Sequence, residues 1–165
     1  MKLLGLFLYN YQLKVYFSKL EKRVGVCSQQ YDDFSKHCLL WDFDYSNVND
    51  IIKSLEHIQK QYCLPSIYVV QSSLDSYHAY CLVARPFREV VNILSATPEI
   101  DMTYLRMGFV RGYFTLRITP RTNEPEFSLV KILSSNYKNE MSFDDLTVNE
   151  YLTSNKGGKH NVKRT

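Results

Sequence analysis

Glycine and proline are scarce, at 6 and 5 of 165 residues. Collagen-like and wholly disordered chains need far more of both, so those classes are excluded. The four cysteines, Cys27, Cys38, Cys63 and Cys81, stand far apart with no Cys-x-x-Cys pair. No zinc is therefore expected, and free thiols in a reducing compartment are the reading. A long apolar run is also missing. Residues 1–9 are apolar, but Asn10 and Gln12 end them far short of the ~20 residues a membrane helix needs. They also lack the small-residue cleavage site of a signal peptide, so the chain reads as soluble and intracellular, with no membrane contact. Charge of one sign is nearly balanced: the net value is +3, too small to diagnose nucleic-acid binding by itself. Basic residues crowd the last ten positions, as Lys156, Lys159, Lys163 and Arg164, where a polar tail can touch phosphates or simply aid solubility.

What remains is an ordinary globular composition, 45% apolar and 22% charged, at a length that suits one domain. Thirteen tyrosines and nine phenylalanines suit sheet packing, and exposed ones suit stacking on bases. Residues 3–9 and 12–17 read as strands of a hairpin around Asn10, residues 24–27 as a third short strand, and residues 28–36 as a polar loop. Cys38-Leu39-Leu40-Trp41 then leads into Asp42-Phe43-Asp44, a buried strand delivering two acids at its end. Ser46 or Asn47 caps a helix over residues 48–62, whose Ile51, Ile52, Leu55, Ile58 and Tyr62 recur at helical spacing; Pro65 stops it. Residues 66–71 and 77–83 form a hairpin about a Ser72–Ser76 turn. Pro86 opens a helix over residues 87–94, and Pro98 closes that segment. Residues 112–119 and 127–133 look like two antiparallel strands joined by a loop at 120–125. A short helix is expected over residues 148–152. The sum is an α+β domain on an antiparallel or mixed sheet. It divides into N-terminal strands and loop (1–37), a core (38–133) and a C-terminal extension with its basic tail (134–165).

Within that frame, Asp42 and Asp44 lie two apart on a strand and share one face. Two such carboxylates repel unless a cation sits between them, and oxygen-rich ligation suits Mg²⁺ or Mn²⁺. His78 begins a strand after a turn rich in hydroxyls, a setting that presents hydroxyl and backbone N–H groups to phosphate. Asp101 follows apolar Ile100 and offers a third acid. Arg117 sits in the otherwise apolar strand Phe114-Thr115-Leu116-Arg117-Ile118-Thr119, where a charge needs a partner or a ligand.

These residues resemble the three motifs of the archaeo-eukaryotic primase (primase-polymerase) superfamily, in its compact plasmid and viral form. The motifs are hydrophobic residues before Asp-x-Asp, then Ser-x-His, then a hydrophobic residue before Asp. They stand here in that order as Leu39-Leu40-Trp41-Asp42-Phe43-Asp44, Ser76-Tyr77-His78 and Ile100-Asp101. Arg117-Ile118-Thr119-Pro120-Arg121-Thr122-Asn123-Glu124 looks like a looser version of the family's arginine strand and loop. It lacks the glycine and has Pro125 or Glu126 where a lysine is usual, with Lys131 as a substitute.

The resemblance covers about residues 38–132. It implies an RRM-like antiparallel or mixed sheet with helices packed on it, and template-dependent nucleotidyl transfer in DNA replication. Asp42, Asp44 and Asp101 would be the catalytic metal ligands of a two-metal site for Mg²⁺ or Mn²⁺, and Ser76, His78 and Arg117 would face nucleotide phosphates. Implied partners are a single-stranded DNA or RNA template, nucleoside triphosphates, and a helicase or other replication protein. Tyr45, Tyr77 or Tyr80 would stack on template bases. Too few residues follow 133 for the helical accessory domain of many relatives, so robust primer initiation by this chain alone is not expected. Two alternatives are carried: a non-catalytic nucleic-acid-binding module of primase fold, and a rolling-circle replication nuclease. The latter wants a His-x-His pair and a tyrosine nucleophile, and Tyr77-His78-Ala79-Tyr80 supplies one histidine.

Overall fold

A computed structural model describes residues 3–8, 11–16, 20–44, 46–120 and 126–154. In chain order the elements are β1 (Leu3–Leu8), β2 (Tyr11–Tyr16), β3 (Leu20–Gln30), β4 (Lys36–Asp44), α1 (Val48–Gln61), β5 (Ile67–Ser73) and β6 (Ser76–Pro86). Then follow α2 (Phe87–Ser95), α3 (Met102–Arg111), β7 (Thr115–Arg117), β8 (Ser128–Leu133) and β9 (Leu146–Ser154). The described chain divides into two units. The larger is Val24–Asn149; the smaller joins the described residues before Val24 to those from Glu150 onward. Residues 24–37 and 134–149, expected as flanking segments, thus fall in the same unit as 38–133. In the smaller unit β1 and β2 form the expected antiparallel hairpin, in register from Leu3 opposite Tyr16 to Leu8 opposite Tyr11.

The architecture is α+β, as expected: a seven-stranded antiparallel sheet in the order β7-β3-β4-β6-β5-β8, with β9 also paired to β3, and three α-helices. β4 and β6 occupy its middle. From Cys38 to Trp41, and again at Phe43, β4 is fully buried, as expected of a strand covered on both faces. By alternation Leu39, Trp41 and Phe43 share one face of β4 and Leu40, Asp42 and Asp44 the other. The Trp41 indole N–H donates to Thr97 Oγ1 at 3.0 Å, and that hydroxyl donates to the Ile93 carbonyl at 2.9 Å, so the Trp41 face looks toward α2. The core continues through Ile51, Leu55 and Ile58 of α1 and Val90, Ile93 and Leu94 of α2. Asn47, one of the two expected caps, starts α1 by accepting the Asn49 N–H at 2.8 Å. Among the described residues no helix is long and apolar enough to cross a membrane.

Four readings are corrected. Residues 112–119 and 127–133 are not paired with each other. β7 pairs with β3 and β8 with β5, at opposite ends of the strand order. Residues 148–152 are not a helix but lie in β9, which adds to β3; the Val-Asn-Glu-Tyr-Leu sequence has β-branched and aromatic residues and fits a strand once a partner edge exists. The expected loop over 28–36 is shorter, because β3 continues to Gln30 and β4 begins at Lys36. Finally, a helix, α3, fills residues that were read as carrying no element. The basic residues from Lys156 onward, Tyr45 and the loop over 121–125 lie outside the described residues.

Asp101 caps α3, and Gly112 ends it at φ +80°, donating its N–H to the Gly108 carbonyl at 3.0 Å. Gly108 is where the helix meets the core: a Cβ there would run into the Phe114 ring, which is fully buried beside Tyr104 and Phe87. Alanine favours an isolated helix over glycine by ~1 kcal/mol, yet overpacking a filled core costs about 1–3 kcal/mol. Gly108→Ala is therefore expected to lower stability in chemical denaturation. A variant as stable as the parent would show that the α3–Phe114 contact is loose.

His37 gives a pH signature. Its ring is buried, with Nδ1 2.9 Å from Ser28 Oγ and its face tilted against Phe87. Burial holds its pKa below the ordinary imidazole value, against an opposing backbone bond at Phe34. The unfolded chain then binds this proton more tightly than the fold does. The contribution is whole above the unfolded value near pH 6.5 and is lost as pH falls toward the lowered folded value. The hydrogen-bonded carboxylates of Asp33 and Asp145, held below their ordinary range by Ser35 and Ser142, act only in a more acidic window. The melting temperature should fall between pH 7 and 5 and fall less in His37→Gln. An equal fall in both assigns the effect to another group.

Candidate active site

The register of three strands assembles the candidate site. Residues directly opposite in an antiparallel pair share a face, and Asp42 of β4 is opposite His78 of β6, while Asp44 is opposite Ser76. His78 in turn is opposite Val70 of β5, and Tyr80 is opposite both Leu40 and Tyr68. The Asp-x-Asp and Ser-x-His segments thus lie side by side, two residues of one against two of the other. His78 Nε2 stands 3.5 Å from Asp42 Oδ1; the imidazole is 5% exposed and the carboxylate 24%. Such a contact in a mostly dry setting carries more weight than the same pair in water.

Tyr80 and Phe127 complete the surroundings of His78. The Tyr80 hydroxyl is 3.4 Å from His78 Nδ1, and Phe127 presents its edge to the imidazole with ring centres 5.5 Å apart. Burial, then the nearby Asp42 charge, pushes the Tyr80 phenol well above its ordinary range, against the pull of Arg117. The phenol therefore stays protonated, within hydrogen-bond reach of His78 Nδ1, while Nε2 faces Asp42. Arg117 arrives from β7 and stacks on the other aromatic wall, its guanidinium 5.2 Å from the Phe127 ring centre.

Asp101 reaches the site by its backbone: its N–H donates to the Asp42 carbonyl at 2.9 Å. Its carboxylate caps α3, with Oδ1 accepting the Thr103 N–H at 2.8 Å and Oδ2 the Tyr104 N–H at 3.2 Å. An ionised carboxylate has about four lone-pair positions, so two remain. Among the described residues no three His, Cys, Asp or Glu side chains are grouped to hold a metal ion. Asp42 and Asp44, on one face of β4, are the acids whose chemistry suits a hard divalent cation. Ser72, in the hydroxyl-rich turn region, has a buried Oγ with no hydrogen-bond partner among the described residues.

Beside the polar cluster lies an apolar cavity of about 400 Å³, walled by Tyr68, Val70, Tyr80, Phe127, Leu129 and Phe143, among others. Phe143 meets Tyr68 and Tyr80 edge-on, with ring centres 6.0 and 6.1 Å apart. Tyr80 is 6% exposed, so the expectation that it projects to stack on a template is corrected: it is a wall residue hydrogen-bonded to His78. Tyr77 is half-buried against the core.

The structure thus brings Asp42, His78 and Tyr80 into contact, sets Asp44 and Ser76 one register step away, ties Asp101 in through its backbone, and brings Arg117 up through Phe127. Sequence reasoning missed Phe127 and the role of Tyr80. The i, i+2 relation of Tyr80 to His78 was a usable signal, whereas nothing local marks Phe127. No protein-family model, curated protein or solved structure matches this chain.

Proposed function

We propose that this protein is a template-dependent nucleotidyltransferase of the primase-polymerase kind, acting in DNA replication, and that its fold is the RRM-like sheet of that superfamily. The observation that carries the reading is the register match of Asp42 and Asp44 with His78 and Ser76 on neighbouring strands. Two of the motifs, distant in sequence, lie on neighbouring strands with Asp42 opposite His78 and Asp44 opposite Ser76, which supports the reading. The backbone bond from Asp101 to Asp42 supports it further, because it brings the third acid to the same strand end.

In this reading Asp42 and Asp44 hold Mg²⁺ or Mn²⁺, with Asp101 as the neighbouring third acid. A divalent ion there would lower the proton affinity of an attacking 3′-hydroxyl and offset charge on the leaving pyrophosphate. The chain's own groups do the rest. Arg117, braced on Phe127, and His78 would offset negative charge that grows on the triphosphate as the bond breaks. The hydroxyl of Ser76 would donate to phosphate oxygens. The aromatic cavity offers stacking surface to a base without reading its identity. The substrates are nucleoside triphosphates and a single-stranded DNA or RNA template, with a helicase or other replication protein as partner.

Incorporation of labelled nucleotides on a single-stranded template, with Mg²⁺ and with Mn²⁺, tests the proposal. Incorporation that requires template and divalent ion is the expected result. Its absence, alone and with replication partners, together with salt-sensitive binding of single strands, would instead identify a non-catalytic nucleic-acid-binding module.

A further inference from the structure

Helix α3 carries large apolar side chains on both its inner and its outer face. Its inner face is satisfied within the chain: Leu105 and Gly108 are buried, Gly108 lies against Phe114, and Tyr104 donates its hydroxyl to the Leu40 carbonyl at 2.9 Å. Its outer face is not. Met102 is 53% exposed, Phe109 66% and Val110 79%, and Met107 is also exposed. Helical spacing places Met102, Arg106 and Val110 in one i, i+4, i+8 row, with Phe109 three residues from Arg106 on the flank. Four exposed large apolar side chains on one short helix form a patch rather than scattered exposure, and such patches mark interaction surfaces.

The composition of that face indicates what covers it. Met102, Met107, Phe109, Arg106 and Arg111 are of the residue types enriched in protein–protein contacts, and α3 contains no Lys, Asp or Glu, types depleted there. Its only charges are Arg106 and Arg111, both exposed. Among the described residues neither lies within ion-pair distance of an acid. A second copy docked face to face would set arginine against arginine. A single strand of nucleic acid would satisfy the arginines, yet it would leave Met102 and Val110 against phosphate and sugar.

We infer that the outer face of α3 docks an acidic amphipathic helix of a partner protein. The partner's apolar stripe would cover Met102, Phe109 and Val110, and its flanking carboxylates would pair with Arg106 and Arg111. Two parallel hydrogen bonds from each guanidinium to a carboxylate fix the register of the two helices. This rests on α3 and not on the chemistry proposed for Asp42, although α3 starts at Asp101 and so sets the bound helix beside the candidate site.

The test uses the full chain and three labelled probes in fluorescence anisotropy. One is a synthetic helical peptide of about five turns, with leucines at i, i+3, i+4 and i+7 and glutamates on both flanks. The second has lysines in place of the glutamates, and the third is an oligothymidine strand. The acidic peptide should bind and slow hydrogen exchange over residues 102–111, while the lysine peptide should not bind. Phe109→Ala should weaken binding at least ~10-fold. Arg106→Glu should weaken the acidic peptide by a similar factor and gain affinity for the lysine peptide. Both substitutions are at exposed positions, and unchanged melting temperatures would confirm intact folding. Four results would overturn the inference: no binding of the acidic peptide at about 1 mM, equal binding by wild type and Arg106→Glu, displacement of the peptide by oligothymidine, or a wild-type dimer that Phe109→Ala dissociates.

Discussion

Asp42→Asn is expected to lower template-dependent nucleotide incorporation by at least ~10²-fold while leaving the fold and single-strand affinity close to wild type. The substitution keeps the size of the side chain and an oxygen for His78, whose Nε2 is 3.5 Å from the carboxylate. What it removes is one negative charge from a face that carries Asp42 and Asp44. Under the proposed function that loss would weaken occupancy by a divalent ion and leave the reacting hydroxyl out of line. Positioning and charge stabilisation supply most of the rate in reactions of this class, so the loss falls on incorporation.

Stability should follow a different course. In the metal-free protein two like charges on one face are unfavourable, so neutralising one is neutral or mildly stabilising. Single-strand binding, which the proposed function assigns to basic and aromatic groups such as Arg117 and Phe127, should persist. Incorporation, thermal melting and strand affinity measured side by side separate the three effects. An Asp42→Asn variant that incorporates nucleotides as well as its parent would remove Asp42 from the site. A variant that has lost incorporation, melting temperature and strand affinity together would show that Asp42 acts through the fold.

The elements that were legible in the sequence are those with a strong local period or a strong stop. α1 has apolar residues at helical spacing, an Asn47 cap and a downstream proline. β4 has an uninterrupted apolar run, and the β5–β6 hairpin has a turn rich in serine. The helix α3 was not legible because its apolar residues lie on both its inner and its outer face, so no 3.6-residue stripe stands out. Its ends were nonetheless marked, by Asp101 at the cap and Gly112 in the left-handed conformation. The partners of β7 and β8 were illegible for another reason. A short strand carries no record of which edge it joins, and proximity in sequence favoured a hairpin that the sheet does not contain. The same division holds for the site. The side-by-side placement of Asp42 with His78 follows from two motifs on strands that became neighbours, whereas Phe127 joins them only through the path of β8 across the sheet.

Trp41→Ala should cost about 3–5 kcal/mol, a large share of the roughly 5–15 kcal/mol by which domains are stable. Trp41 is among the largest fully buried side chains of the protein, and it leaves β4 on the face opposite Asp42. Removing it empties the space toward α2 and strips Thr97 Oγ1 of the indole donor at 3.0 Å. Thr97→Val isolates the polar part of that loss. It keeps the indole in place but leaves its N–H buried without an acceptor, at a cost of about 1–3 kcal/mol. Denaturant midpoints for the two variants should fall in that order, and a Trp41→Ala protein within ~1 kcal/mol of wild type would mean that the β4–α2 interface is not packed as described. Trp41→Phe links the core to the chemistry. It retains most of the apolar volume and the alternation of β4, so below its melting temperature it should keep nucleotide incorporation near the wild-type level. If incorporation falls while the variant is fully folded, the Trp41 side of the strand positions Asp42 as well as supporting it.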